Sequence, residues 1–384
     1  MTEPTPTALD PTALADLRAR VRREVDDGLT PAAQIALARD GQLLEFEAFG
    51  TADAATRFNI FSCTKAFIAG VVWQLIAEGT LTPSTRVVDL VPRFGSEGTS
   101  SDQVGAITLE HLLTHTAGFP HAPLGPPRWD TRHGRLDAMA RWRLTFEPGT
   151  QYEYHASSAH WVVAEMIEVV EGRDYRQVVH DRIAAPLGLP SFELGVAPDD
   201  GVDIAELVAV GSAPSADELM EIFGVSELPM GEVTPEALLM FNEPAVRAVG
   251  VPGGGGIATA ADLALYYQAL LHDPGRLWDP AVLADGTGNV RCTFPDLMTG
   301  VPANRTLGVT VAGGDGKAAW RGMGHTVGPR TFGHNGAAGQ IAWADPDSGL
   351  SFAFTTAGID RNVLREARRS VGIASRAGRC VVPT

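Results

Sequence analysis

The chain has 384 residues, 45% hydrophobic and 20% charged, which is enough apolar content for one large domain or two closely joined ones and excludes a disordered protein. Its formal net charge of -16, with no basic cluster to offset it, repels phosphate backbones and anionic lipid, so neither nucleic acid nor a membrane surface is an expected partner.

In chain order, MTEPTPTALDPTALADL places acids and prolines where a secretory signal needs a basic start and an apolar core, so a cytoplasmic location is expected. Residues 11–27 read as an amphipathic helix, and 33–50 as two strands around the Asp40-Gly41 turn. The stretch FNIFSCTKAFIAGVVWQLIAEG, 58–79, then runs apolar from Ala66 to Ala77 with Gln74 as its clearly polar interruption. That is short of the roughly 20 residues of a spanning helix and reads as a buried core helix. Residues 157–171, 174–184 and 259–272 read as further helices, the last starting with Thr259 and Asp262 in capping-box spacing. Short β-like segments separated by glycines fill 305 to 357, and 361–376 reads as a closing helix. Strands at both ends with helices between predict an α/β sheet assembled from the two termini, with a helical region inserted.

The core helix raises a chemical question, because Lys65 sits at its mouth three residues after Ser62. The chain holds two lysines, Lys65 and Lys317, against 28 arginines, so a lysine here points to an amine that can lose its proton, as arginine cannot. If the helix begins near Ser62, the two side chains share a face, and burial disfavours the charged amine. A serine beside a desolvated lysine is a nucleophile with its base. The Ser62 N–H, in a first helical turn, lacks an intrahelical partner and suits half of an oxyanion hole. A second segment, FEPGTQYEYHASSAHWVVAEMIEVVEG (146–172), presents Tyr152 and Tyr154 before a helix, and either could face a cleft. A third, FGHNGAAGQIAWADPDSGLSFAFTTAG (332–358), reads as strand, tight turn and strand.

Together these segments resemble the serine hydrolases of β-lactamase and penicillin-binding-protein type, in particular the class C-like branch that includes esterases with a β-lactamase fold. Ser62–Lys65 matches the Ser-x-x-Lys signature. Pro148-Gly149-Thr150 followed by Tyr154-His155-Ala156 is similar to the family's Pro-Gly-Thr and Tyr-x-Asn, and His334-Asn335-Gly336 to its Lys-Thr-Gly. ITLEHLLTHTAGF (107–119) and VPGGGGIATAADLALYYQALL (251–271) also resemble stretches of this branch. The resemblance implies an antiparallel sheet flanked by helices, with residues 1–60 and 302–384 forming the sheet domain, 61–301 a mostly helical domain, and the active site at their junction. It further implies that Ser62 is acylated, Lys65 takes its proton and Tyr154 relays a proton to the leaving group. The N–H groups of Ser62 and Ala337 would hold the oxyanion, and His334, Asn335, Gly336 and His155 would contact substrate. No metal or cofactor is called for.

Two departures bear on substrate. His334 replaces a permanently charged lysine, and Ala156 replaces an asparagine that would bond an amide. An uncharged small-molecule ester asks for neither, so an esterase for short or medium acyl groups is expected. The alternatives are an acyltransferase of the same fold, a weak β-lactamase or D-peptidase, and a binding homologue without turnover. Other features read blandly. Cys63, Cys292 and Cys380 form no CxxC pair, and Cys63 reads as a small buried thiol. His111 and His115, at i,i+4 on a plausible helix, read as packing residues because no third ligand has suitable spacing. The glycines at 253–256 read as a turn near the cleft, and Trp320 and Trp343 as core. The acidic segment 198–243 reads equally as a wall of the acyl pocket or a solvated insertion.

Overall fold

A computed structural model describes residues 9–98, 101–198, 200–227 and 233–381. Part of the N-terminal stretch on which location was argued, and positions 199 and 228–232 of the acidic segment, lie outside these residues. Helix α1 (Pro11–Asp26) begins as its sequence dictates, with Pro11 in the first turn and the Asp10 carboxylate accepting from the N–H groups of Thr12 and Ala13. Strands β1 (Ala32–Arg39) and β2 (Gln42–Gly50) form the expected hairpin.

Four later strands complete one sheet: β3 (Thr310–Val311), β4 (Phe332–Gly333), β5 (Ile341–Asp345) and β6 (Leu350–Thr356). The order is β2-β1-β6-β5-β4-β3, and every neighbouring pair is antiparallel. All six strands thus come from 32–50 and 310–356. Their side chains alternate by size as well as by face. Ile35, Leu37, Ile341, Trp343, Phe352 and Phe354 pack toward α1 and the closing helix α5 (Val363–Ala377), joining Leu17, Val21 and Ile373 in one core. Ala36, Ala38, Ala342, Ala344 and Ala353 point the other way into the larger core built by the helical region. The alanine face lets helix α4 (Ala260–His272) lie close over β1, β5 and β6. There Gln268 donates to Ala38 O and Ser351 Oγ and accepts from the Gly41 N–H, so the hairpin is tied to the helix by satisfied buried bonds.

Helix α2 (Thr64–Ala77) is buried nearly all round, as its lack of an apolar stripe requires. It starts two residues later than Ser62 suggested, because Phe61–Cys63 forms a separate 3-10 turn. Helix α3 (Ser158–Glu171) matches the expected 157–171. The Thr259 side chain caps α4 by accepting from the Asp262 N–H, but the reciprocal half of the box is not made. The Asp262 carboxylate instead accepts from the N–H and hydroxyl of Ser191. His115 is not on a helix with His111: that helix ends at Leu113, and His115 adopts φ +58°. Trp343 is core as expected, whereas Trp320 is 56% exposed. Among the described residues no helix is long and apolar enough to cross a membrane.

The α2–α4 contact is built around Gly70. The Tyr266 hydroxyl donates to Ala66 O at 2.7 Å, and a Cβ on Gly70 would lie 2.6 Å from that hydroxyl. Gly70→Ala gains about 1 kcal/mol of helix propensity but forces an overpacking penalty of about 1–3 kcal/mol. The expected net result is a lower melting temperature, with Tyr266→Phe in the same chain restoring part of the loss. A variant as stable as wild type would show that the helices separate freely.

Candidate active site

Ser62 lies within the 3-10 turn that precedes α2. Strand 58–59 pairs antiparallel with 257–258, which fixes the chain just before that turn. Phe61 then takes φ +44°, a strained conformation for a residue with a Cβ. It is held there by Thr64, whose hydroxyl donates to Phe61 O at 2.6 Å and accepts from the Gly256 N–H at 2.9 Å. The glycine run is therefore a turn at the cleft, as expected. Cys63 is buried, and burial pushes its thiol up, so it is an inert neighbour of Ser62.

Lys65 has no exposed surface, and its Nζ contacts three oxygens: Ser62 Oγ at 3.1 Å, Ala156 O at 2.8 Å and Gly253 O at 2.5 Å. An ammonium satisfies all three. A neutral amine gives its two N–H groups to the carbonyls and keeps its lone pair for the Ser62 hydroxyl. The cage thus serves both protonation states without moving, which is what a base that returns its proton requires.

Tyr154 faces the Ser62–Lys65 pair, its ring centroid 5.2 Å from Lys65 Nζ. Burial raises the Tyr154 pKa, while the Arg305 charge and the Ser62 hydroxyl pull it down. Tyr152 accepts from Arg305 Nη2 at 3.2 Å. His155, expected to touch substrate, does not. Tyr154 lines the cleft, whereas the neighbouring His155 is fully buried. Its Nε2 accepts from the Phe119 N–H and its Nδ1 donates to Glu153 O. Ala156 contributes a carbonyl to Lys65 rather than a side chain.

The third motif lies across the cleft. His334 is anchored by its N–H, which donates to the Tyr267 hydroxyl, and its Nδ1 donates to Asn335 O. Its Nε2 is buried without a partner beside the cleft. Burial, Arg305 and Lys65 hold the ring well below the usual histidine pKa, so it is neutral, as the sequence suggested. Asn335 lines the cleft, but its amide is committed, donating to Gly322 O and accepting from the Ala342 N–H. Gly336 is constrained sterically, since a Cβ there would lie 2.4 Å from Ile60 O. The close approach brings the following 3-10 turn, Ala337–Gly339, up to the Ser62 turn, with Ala338 at φ +57°. Ala337 opens that turn, so its N–H has no partner within it. Strained residues therefore flank both expected oxyanion donors.

Two cavities meet at Ser62 and Ala337, sharing those residues and Val233. One, of about 430 Å³, is lined by Tyr152, Tyr154, Asp296, Arg305, His334 and the exposed Trp320. The other, of about 380 Å³, is walled by Phe61, Leu124, Trp129, Leu238, Met240 and Phe241. Residues 233–241 of the acidic segment thus form a wall of the apolar cavity. The sequence reading missed Arg305 and the cleft position of Trp320, since neither belongs to a motif.

This is the arrangement of a known family. The chain belongs to the beta-lactamase family. The family's model matches residues 17–373. Among curated relatives, Esterase/beta-lactamase LipL of Mycobacterium tuberculosis is 27% identical over 77% of this chain and 67% of its own length. Esterase EstB of Burkholderia gladioli is 28% identical over 73% of this chain and 77% of its own. A penicillin-binding protein homologue from Caulobacter crescentus, 25% identical, superposes with a TM-score of 0.75 over 98% of this chain and 99% of that one. The fold expected from the sequence is that of this family.

The buried histidines of this site carry a stability cost at low pH. Burial holds His115, His160 and His334 well below the ordinary histidine value and takes His155 to about 3. Unfolded histidines gain protons below about pH 6.5 while the folded ones do not, so stability is full above that value and falls as pH drops. Each contributes a slope of up to about 1.4 kcal/mol per pH unit. Glu168 and Glu366, raised by burial, oppose this but are fewer. Urea denaturation should show a lower unfolding free energy at pH 5 than at pH 7; an unchanged or higher value at pH 5 would contradict neutral burial.

Proposed function

We propose that the protein is a serine esterase hydrolysing short- or medium-chain carboxylic esters of small molecules through an acyl-enzyme on Ser62. The observation that carries this reading is the meeting of an apolar and a polar cavity at Ser62 and Ala337. In this reading the acyl chain fills the apolar cavity and the alcohol portion lies toward Tyr154. Ser62 Oγ bonds the acyl carbon and its proton passes to Lys65, while the N–H groups of Ser62 and Ala337 hold the developing oxyanion. The ester C–O bond breaks, the alkoxide takes the Tyr154 proton, and Lys65 restores the phenol. Water then attacks the acyl carbon and Ser62 leaves, regaining a proton from the same relay.

Neutral His334 and apolar Ala156 favour an ester over an anionic amide, because neither supplies the charge or the amide bond such a substrate needs. The names of LipL and EstB, both esterases, support the same class. The reading needs no nucleic acid, membrane, metal or cofactor. We also propose a cytoplasmic location, which suits three cysteines that are all unpaired and buried.

Two measurements test it. Wild type should turn over p-nitrophenyl butyrate far better than a chromogenic cephalosporin, and Ser62→Ala should abolish both; ester turnover that survives in Ser62→Ala would overturn the reading. Leu238→Trp should narrow the apolar cavity, lowering kcat/KM for an octanoate ester by about tenfold or more relative to the acetate ester. An equal fall for both esters would remove the acyl chain from that cavity.

A further inference from the structure

Arg305 belongs to no motif, yet it is nine-tenths buried beside the nucleophile. It enters from the loop before β3, and its guanidinium carbon lies 5.8 Å from the Tyr152 ring centroid and 5.3 Å from that of Tyr154. Nη2 donates to the Tyr152 hydroxyl, while Nε and Nη1 have no partner. Among the described residues no carboxylate forms an ion pair with it, and the groups that favour its charge are Tyr152, Tyr154 and Cys292. Burying a cation without a counter-charge is expensive, so the placement calls for an anion that forms beside it.

We propose that Arg305 is a positioning residue for Tyr154: its guanidinium, held between the two tyrosine rings, supplies the fixed positive charge that stabilises Tyr154 when it gives up its proton. The inference rests on the proposed relay for its catalytic consequence, but the charge effect itself does not depend on any substrate. In the relay the O–H bond of Tyr154 breaks, the proton goes to the leaving alkoxide, and the phenolate lasts until Lys65 returns a proton. With the guanidinium carbon 5.3 Å from the Tyr154 ring centroid, a phenolate there would give the buried cation a nearby counter-charge.

Arginine suits this role better than lysine, because it stays charged through the whole range in which a phenol titrates. The groups facing Tyr154 come from several elements. Lys65 Nζ lies 5.2 Å and the Arg305 guanidinium carbon 5.3 Å from the Tyr154 ring centroid, His115 lies at 4.5 Å and His334 at 6.1 Å between ring centroids, and Cys63 is also near. Both histidines are held neutral, and Lys65 must give and take a proton, which leaves Arg305 as the constant charge.

Ultraviolet titration of the phenolate band isolates Tyr154 by difference between each protein and its Tyr154→Phe counterpart, since the chain has five tyrosines. In Arg305→Met the Tyr154 titration should move up by about one pH unit or more. Arg305→Lys should also move it up, because a buried lysine amine has lost its proton in the range where this phenol titrates. The pH dependence of kcat/KM for p-nitrophenyl butyrate should move in the same direction, with kcat falling more than KM rises. Should Arg305→Met fail to fold, Arg305→Gln serves the same comparison. An unmoved Tyr154 titration overturns the proposal whatever the substrate. So does a variant that loses only its preference for anionic esters, because Arg305 would then be a substrate-binding cation. Absence of Ser62-dependent ester turnover in wild type would instead count against the esterase reading and leave the titration result standing.

Discussion

The contact between the Lys65 amine and its three oxygens is the constraint on which the rest of the site depends. Ser62 belongs to the 3-10 turn, Ala156 to the segment after Tyr154, and Gly253 to the glycine turn before α4, so one atom fastens three distant parts of the chain. A buried amine without those acceptors would be costly. With them, it orients the serine hydroxyl and sets the depth at which Tyr154 approaches. The fold supports that clamp from behind. Tyr266 bonds α2 to α4, Gln268 bonds α4 to the hairpin, and the alanine face of the sheet lets α4 come close enough for both.

Around the clamp, strain and charge are concentrated in a way the surface does not show. Phe61 and Ala338 hold left-handed backbone conformations on either side of the cleft, each beside an expected oxyanion donor. The chain as a whole is strongly acidic, yet the ionisable groups packed on the Tyr154 ring are an amine, a guanidinium and neutral histidines. A site so built favours charge that develops as negative on oxygen, whether on the acyl oxyanion, on the departing alkoxide or on Tyr154.

Much of this was legible in the sequence because it is written in local signals. The hairpin follows from alternation around Asp40-Gly41, α1 from its apolar spacing, and the Ser62–Lys65 pair from three-residue spacing. Where the sequence reading went astray, tertiary contacts had decided the matter. His155 sits within a motif, but its ring lies in the protein interior, where it bonds Phe119 and Glu153. Asp262 has capping-box spacing, yet its carboxylate is taken by Ser191, which is 71 residues away. Arg305 carried no signal at all: its partners Tyr152 and Tyr154 lie about 150 residues upstream, and their association exists only in the fold.

The central claim is that Ser62, held by the Lys65 clamp, carries the acyl group. The most direct measurement is rapid acid quenching of the wild-type protein with p-nitrophenyl butyrate, followed by intact mass and peptide mapping. The account predicts a transient mass gain equal to one butyryl group, located on the peptide containing Ser62 and absent in Ser62→Ala. Turnover without any such adduct, or an adduct on a different residue, would contradict it.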